Sequence, residues 1–148
     1  MEGSPKVQPL VEYAAVILVR GDGRVLLGEQ YPHEGWVLSA PGGGIEKSET
    51  PEQAAVRELR EETGVEVSIR DLRRVGQIVH GASDGRGYRG WWFSAQSWTG
   101  EPTLMEPTKC RGWDWYPIGS PGIDRYTAPM LATYNRTILR NESNRLHT

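Results

Sequence analysis

One segment of the chain, residues 41–64, constrains the fold more than any other, because its pattern changes from glycine-rich to helical. Thr50 is a good helix N-cap, Pro51 suits the first helical position, and Gln53 completes a capping box with Thr50. Gly64 is a natural C-terminal stop. The spacing predicts a helix over 51–63, with one apolar face formed by Ala55, Val56, Leu59 and Thr63.

Three carboxylates of this predicted helix point in one direction. Glu58, Glu61 and Glu62 are spaced i, i+3 and i+4, so they lie on the same side of the helix. Each like-charge pair at this spacing costs about 0.2–0.5 kcal/mol, and Arg57 to Glu61 is the weaker orientation of an i, i+4 ion pair. A divalent cation such as Mg²⁺ or Mn²⁺ would stabilise such a cluster. A solvated acidic helix face is the alternative.

The segment also matches a known signature. Residues 43–65 resemble the Nudix box, G-x5-E-x7-R-E-U-x-E-E-x-G-U with U aliphatic, the motif of the Nudix hydrolases. Its positions are filled by Gly43, Glu49, Arg57, Glu58, Leu59, Glu61, Glu62, Gly64 and Val65. The order of the flanking strands extends the resemblance to about residues 11–140. It implies an α/β class and the Nudix-type α/β/α sandwich with a mixed β-sheet, a box helix at 51–63 and a C-terminal helix at about 128–140.

The resemblance implies a metal-dependent enzyme in which water attacks phosphorus. Glu61 and Glu62 would be the principal ligands of Mg²⁺, with Mn²⁺ as a substitute, and Glu58 a ligand or the base that orients the water. The backbone carbonyl of Gly42 would complete the inner shell. In a separate role, Arg57 would pair with Glu49 and hold the carboxylates in place.

A further acidic ligand is expected from a later loop, as in many members of the family. The candidates are Glu101 and Glu106, and Glu106 is favoured because it precedes the aromatic strand 113–116. That tract resembles MutT-like nucleoside triphosphate pyrophosphatases. An ordinary loop acid is the alternative for Glu106.

Substrate contacts are less apparent in the sequence. Many relatives place a basic residue after the second strand, where this chain has Gly-Glu-Gln at 28–30. Phosphate contacts are therefore assigned to basic residues elsewhere, namely Lys47, Arg86, Arg89 and Lys109. Trp92 has neighbours Trp91 and Phe93 on the opposite face of a strand. One of these faces could line a nucleobase pocket, although core packing is the alternative.

Short apolar runs predict the remaining elements. Strands are expected at 11–19, 24–27, 36–39, 65–69, 75–80, 88–98 and 112–116, with a hairpin turn at 21–23 and a loop at 41–44. The 148 residues are expected to form a single Nudix domain, with 1–9 as a loose lead-in.

Composition limits the function classes. The net charge of −2 argues against a protein that grips a nucleic-acid polymer. No apolar run predicts a membrane anchor. A single cysteine, Cys110, cannot form an internal disulfide, which favours the cytoplasm. The expected partner is a small nucleotide, and a homodimer is left open.

The favoured reaction converts a nucleoside triphosphate, normal or modified, to a nucleoside monophosphate and pyrophosphate. Hydrolysis of ADP-ribose or a nucleotide sugar is the alternative within the family. A non-catalytic module that senses a nucleotide is the alternative of another class. Retention of every glutamate of the box counts against that module.

Overall fold

The computed structural model describes residues 9–31, 35–82 and 84–139. Within these ranges the chain forms seven strands and two α-helices. The strands are β1 (Val11–Leu18), β2 (Val25–Gln30), β3 (Val37–Ser39), β4 (Gly42–Gly44), β5 (Arg73–Gly81), β6 (Gly87–Ala95) and β7 (Cys110–Tyr116). The helices are α1 (Pro51–Thr63) and α2 (Thr127–Tyr134). The predicted lead-in at 1–9 lies almost wholly outside the described residues.

The strands form two sheets. The larger sheet has the order β4-β1-β6-β5 and is mixed, because β1 and β6 are parallel and the other two pairs are antiparallel. The smaller sheet, β3-β2-β7, is antiparallel. The predicted hairpin at 21–23 joins the two sheets, and a single bridge between Val19 and Val25 closes it.

Both faces of β1 are buried, because α1 covers one face and α2 the other. Alternate residues therefore enter different cores. Ala14 and Val16 pack with Leu59 of α1, whereas Ala15 and Ile17 pack with residues of α2. The layers are helix, sheet and helix, which confirms the predicted α/β class and sandwich. No helix in the described part of the chain is long and apolar enough to cross a membrane.

Two sequence predictions of secondary structure were wrong. The glycine segment predicted as a loop contains β4, which pairs with β1 from Tyr13–Gly44 to Ala15–Gly42. Glycine permits this close approach, since a Cβ at Gly42 would lie 2.8 Å from Ala15 Cα. Tertiary pairing thus overrides the low strand propensity of glycine.

The predicted strand at 65–69 is reduced to one bridge between Glu66 and Thr99, followed by a 3₁₀ turn at Ile69–Asp71. The partner segment, which contains Thr99, turns away at Gly100, where φ is +92°. Pairing with residues 65–69 therefore does not extend beyond this one bridge. The predicted C-terminal helix is present, although it is not α-helical over its whole length. α2 ends at Tyr134, a π-helical turn follows at Asn135–Leu139, and residue 140 is outside the described ranges.

Candidate active site

The helix α1 has the bounds that its capping residues predict. Thr50 Oγ1 accepts a hydrogen bond from Gln53 N at 3.1 Å, and Gln53 Oε1 accepts one from Thr50 N at 2.9 Å. Gly64 ends the helix with φ +77°. Leu59 is fully buried against the sheet. Of the acidic residues of the helix, Glu58 and Glu62 lie beside β4, and Arg57 contacts Glu58 and Glu61.

Arg57 is the cation at the centre of the acidic cluster. Its guanidinium donates to both oxygens of Glu49, from Nε at 2.6 Å and from Nη2 at 2.8 Å. Nη1 donates to Glu58 at 2.9 Å and to Glu61 at 3.2 Å, and Nη2 also donates to Gly44 O at 2.9 Å. The hydrogen bonds from Arg57 lower the pKa of Glu49 to about 2. The guanidinium therefore links the loop before α1, the helix and β4.

The side chain of Glu58 fits against Gly43. A Cβ at Gly43 would overlap the Glu58 carboxylate, with only 2.7 Å to Oε1. Burial raises the pKa of Glu58, and Arg57 opposes that rise. Gly43 is therefore needed for the position of the carboxylate rather than for backbone freedom, since its φ is not in the left-handed region.

We expect Gly43→Ala to lower kcat by about 10²-fold, because the added methyl group must displace the Glu58 carboxylate. Gly44→Ala is the matched control, since nothing lies within 4 Å of a Cβ at Gly44. Steady-state kinetics and thermal unfolding of both variants would measure the difference. Equal activity of the two variants would show that the position of Glu58 does not matter.

Glu62 is the most deeply buried carboxylate of the cluster. It accepts a hydrogen bond from Gly42 N at 3.2 Å, and desolvation raises its pKa to about 8. The negative charges of Glu58 and Glu106 raise the pKa further, while Lys109 lowers it. The backbone of Glu62 is held from the opposite side, because Trp113 Nε1 donates to Glu62 O at 3.1 Å. The site thus buries an acid close to other acids, which favours a bound cation.

A cavity of about 580 Å³ lies beside this cluster, on the α2 face of the large sheet. Gly42, Gly43 and Gly44 form part of its wall, and the first two also contact the carboxylates of α1. β4 therefore adjoins both the acidic cluster and the cavity. Much of the remaining wall is aromatic, formed by Tyr13, His80, Tyr88, Trp92 and Tyr126.

Known proteins share the family and the fold of this chain. The family model for the NUDIX domain matches residues 9–139. The chain belongs to the NUDIX family. It is a Nudix hydrolase, an enzyme that acts on pyrophosphate bonds.

Individual relatives agree with this assignment. An RNA pyrophosphohydrolase of Sphingopyxis alaskensis is 28% identical over 144 residues, which cover 85% of this chain and 88% of that protein. The fold resembles the crystal structure of a MutT NUDIX hydrolase from Burkholderia pseudomallei, with a TM-score of 0.77, 24% identity and coverage of 85% and 98%. It also resembles the NUDIX domain of Shewanella oneidensis NrtR complexed with ADP ribose, with a TM-score of 0.74, 17% identity and coverage of 92% and 94%.

The donor set of this Nudix site suits a divalent metal, which Nudix hydrolases generally use. Glu58 and Glu62 offer hard carboxylate oxygens, and the pKa of Glu62 is raised mainly by burial, with the negative charges of Glu58 and Glu106 acting in the same direction. Within the described ranges, no three acidic, histidine or cysteine side chains already converge on one ion position. Glu61 is held by Arg57 and is half exposed, so it can move towards an ion.

The structure places the predicted extra acid, Glu106, near the same cluster. Its charge raises the pKa of both Glu58 and Glu62, and its carboxylate pairs with Lys109 Nζ at 3.5 Å. The competing candidate Glu101 has no such effect on either group among the described residues. Glu106 therefore stays the preferred prediction for the extra ligand.

The predicted substrate contacts of this Nudix chain fall in different places. Trp92 lines the cavity, whereas Lys47, Arg89 and Lys109 do not. Arg89 lies on the other face of β6 and pairs with Glu12 at 3.5 Å. Sequence reasoning missed Tyr13, His80, Tyr88 and Tyr126. Only the shared strand face of Tyr88 and Trp92, four residues apart, carried a signal.

Proposed function

We propose that this Nudix hydrolase cleaves nucleoside triphosphates, normal or modified, to a nucleoside monophosphate and pyrophosphate. The observation that carries the proposal is the aromatic cavity of about 580 Å³ whose wall includes Gly42 and Gly43. The same two glycines contact Glu62 and Glu58. A base held among aromatic rings would therefore place its phosphates at the acidic cluster.

Each residue of the site has its own proposed role in hydrolysis. Glu58, Glu61, Glu62 and the Gly42 carbonyl, with Glu106 as the additional acid, are the groups proposed to hold Mg²⁺ or Mn²⁺. A bound divalent ion would neutralise diphosphate charge and lower the pKa of water. Arg57, fixed by Glu49, holds Glu58 and Glu61 in position. If Glu58 is not a ligand, its carboxylate is the base that orients the attacking water. Lys47, Arg89 and Lys109 are the proposed phosphate contacts and Trp92 the base contact.

Two other substrate classes are alternatives, each suggested by one of the similar proteins. The Sphingopyxis alaskensis relative is named for RNA, and the same α–β bond would be cut at the 5′-triphosphate end of an RNA. The net charge of −2 disfavours a long polyanion, so a free nucleotide is the first choice. ADP-ribose is bound by the structural neighbour NrtR, but identity of 17% supports the fold alone. We also propose a cytoplasmic location, from the single cysteine, and a homodimer stays a prediction.

A product assay decides between these classes. The purified chain is incubated at fixed Mg²⁺ with ribo- and deoxyribonucleoside triphosphates, ADP-ribose, sugar nucleotides, dinucleotides and short 5′-triphosphorylated RNA, with EDTA as the control. The expected result is release of pyrophosphate and nucleoside monophosphate, fastest from a free triphosphate and absent with EDTA. A higher kcat/KM for RNA or ADP-ribose, or release of orthophosphate alone, would overturn the proposal.

A further inference from the structure

The loop that carries Glu106 packs against the C-terminal end of α1. Thr103 N donates to Thr63 O at 2.8 Å, which ties the loop to the last residue of the helix. The Met105 side chain lies over Gly64, because Sδ is 3.8 Å and Cγ 4.0 Å from the position that a Cβ at Gly64 would occupy. Met105 therefore lies between the end of α1 and Glu106, the next residue of the loop.

Among the described residues, Met105 carries the most accessible sulfur. Met105 is 54% exposed, whereas Met130 is 4% exposed in the core beneath α2. Cys110 is also 4% exposed, and burial raises the pKa of its thiol, so little of the reactive thiolate is present. Exposure therefore makes Met105 the first of these three residues to react with a peroxide.

The surroundings of the Met105 sulfur suit a thioether better than a sulfoxide. The backbone N–H groups of Gly64 and Val65 already donate to helix α1, at 2.8 and 3.1 Å, and the Thr103 hydroxyl donates to a backbone carbonyl at 3.1 Å. The end of a helix presents carbonyl oxygens with partial negative charge. A sulfoxide oxygen accepts hydrogen bonds, so at this position it would meet other acceptors, and the oxidised side chain would turn towards water.

We propose that Met105 is a site of oxidation by peroxides, and that its sulfoxide weakens the binding of a divalent metal at the acidic cluster. The sulfur lone pair attacks one oxygen of hydrogen peroxide, and the S–O bond forms as the O–O bond breaks. The other oxygen takes up the proton and leaves as water, so sulfur is oxidised by two electrons and the peroxide is reduced. Met105 is a positioning residue, because its departure from Gly64 displaces the adjacent Glu106. This effect rests on the proposed function, in which Glu106 is an additional ligand.

Oxidation and metal binding are measured on the same samples of the full chain. The metal-free protein is treated with hydrogen peroxide, peptide mass mapping locates the added oxygen, and calorimetry gives the dissociation constant of Mn²⁺ without nucleotide. We expect Met105 to react well before Met130 and the Mn²⁺ dissociation constant to rise about tenfold, the usual effect of disturbing a ligand through its neighbour. Equal reactivity of the two methionines, or unchanged Mn²⁺ binding once Met105 is oxidised, would overturn the proposal.

An exchange of two neighbouring residues separates the position of the sulfur from its chemistry. Leu104→Met combined with Met105→Leu moves the thioether to a position that is 41% exposed. The side-chain atoms nearest to Gly64 belong to Thr103 and Met105, and not to Leu104. The exchanged protein should gain oxygen at position 104 and keep its own untreated Mn²⁺ affinity within about twofold. An equal loss of affinity in both proteins would show that the position over Gly64 has no role.

A second variant tests whether the effect of oxidation passes through Glu106. Glu106→Gln should itself weaken Mn²⁺ binding about tenfold, and oxidation of Met105 in that variant should then add less than about twofold. Thermal unfolding of every sample confirms that the fold is retained. A further tenfold loss on oxidation of Glu106→Gln would refute the route through this carboxylate. Wild-type Mn²⁺ affinity of the untreated Glu106→Gln variant would refute it as well.

The outcomes are distinct from those that test the proposed function. If the untreated chain cleaves triphosphates and oxidation of Met105 leaves Mn²⁺ binding unchanged, the inference fails and the function stands. If oxidation weakens Mn²⁺ binding in a chain that cleaves no triphosphate, the function fails and the oxidation site stands.

Discussion

Replacing Glu62 by glutamine is expected to lower kcat for pyrophosphate-bond hydrolysis by at least about 10³-fold. An amide oxygen carries no charge, so it cannot replace a buried carboxylate in holding a divalent cation. The amide can still accept the hydrogen bond that Gly42 N donates at 3.2 Å, so the local backbone should be preserved. The measurement is kcat at saturating Mg²⁺, together with the melting temperature of the metal-free protein.

The control for this substitution is Glu66→Gln, three residues beyond the end of α1. Glu66 is an exposed side chain, and its ion pair with Arg60, at 4.0 Å, is at the limit of contact. The activity of the Glu66→Gln variant should match that of the wild type. The proposed role of Glu62 would be refuted by a Glu62→Gln variant that keeps more than a tenth of wild-type kcat, or that binds Mg²⁺ with unchanged affinity.

Replacing Arg57 by lysine should impair both the site and the fold. The guanidinium makes five hydrogen bonds to Glu49, Glu58, Glu61 and Gly44, and two of them grip both oxygens of Glu49. An ammonium group cannot reproduce this fork. We expect kcat to fall by about 10- to 10²-fold and stability by about 1–3 kcal/mol. Arg60→Lys, at an exposed position, is the matched control and should change neither quantity.

The ion pair between Arg57 and Glu49 should also make the stability of the protein depend on pH in acid. In the folded protein the pKa of Glu49 is about 2, below its ordinary value of 4.5. The stabilisation is therefore complete above about pH 4.5 and is lost as the pH falls towards 2. Urea unfolding at several pH values in this window should show that the free energy of unfolding falls more steeply with decreasing pH in the wild type than in the Arg57→Lys variant. Parallel curves would indicate that the pair contributes nothing to stability.

Local signals explain why the helix of the box could be predicted to the residue. Thr50, Gln53 and Gly64 act on backbone groups within a few positions of themselves, and the apolar spacing of α1 is a property of consecutive residues. The pairing of Arg57 with Glu49 follows from the family resemblance. The structure adds the contacts of Arg57 with Glu61 and with the carbonyl of Gly44.

Errors occurred where a partner distant in the chain decides the structure. Gly42–Gly44 is a strand because β1 offers a ladder, which no local propensity indicates. The segment 65–69 has the composition of a strand but finds only one bridge, because its partner turns at Gly100. Strand formation depends on what lies alongside, and the sequence of one segment does not contain that information.

The sequence by itself determined the chemistry of the molecule. The spacing of carboxylates, arginine and glycines over 43–65 specifies the acidic helix and its family, since these residues act within one capped helix and the loop before it. Only the tertiary structure decided where the aromatic cavity lies. Tyr13, His80 and Tyr126 lie on β1, β5 and the segment before α2, and nothing in their spacing predicts contact. They meet because parallel pairing of β1 with β6, and docking of α2 on the same face, bring distant parts of the chain together.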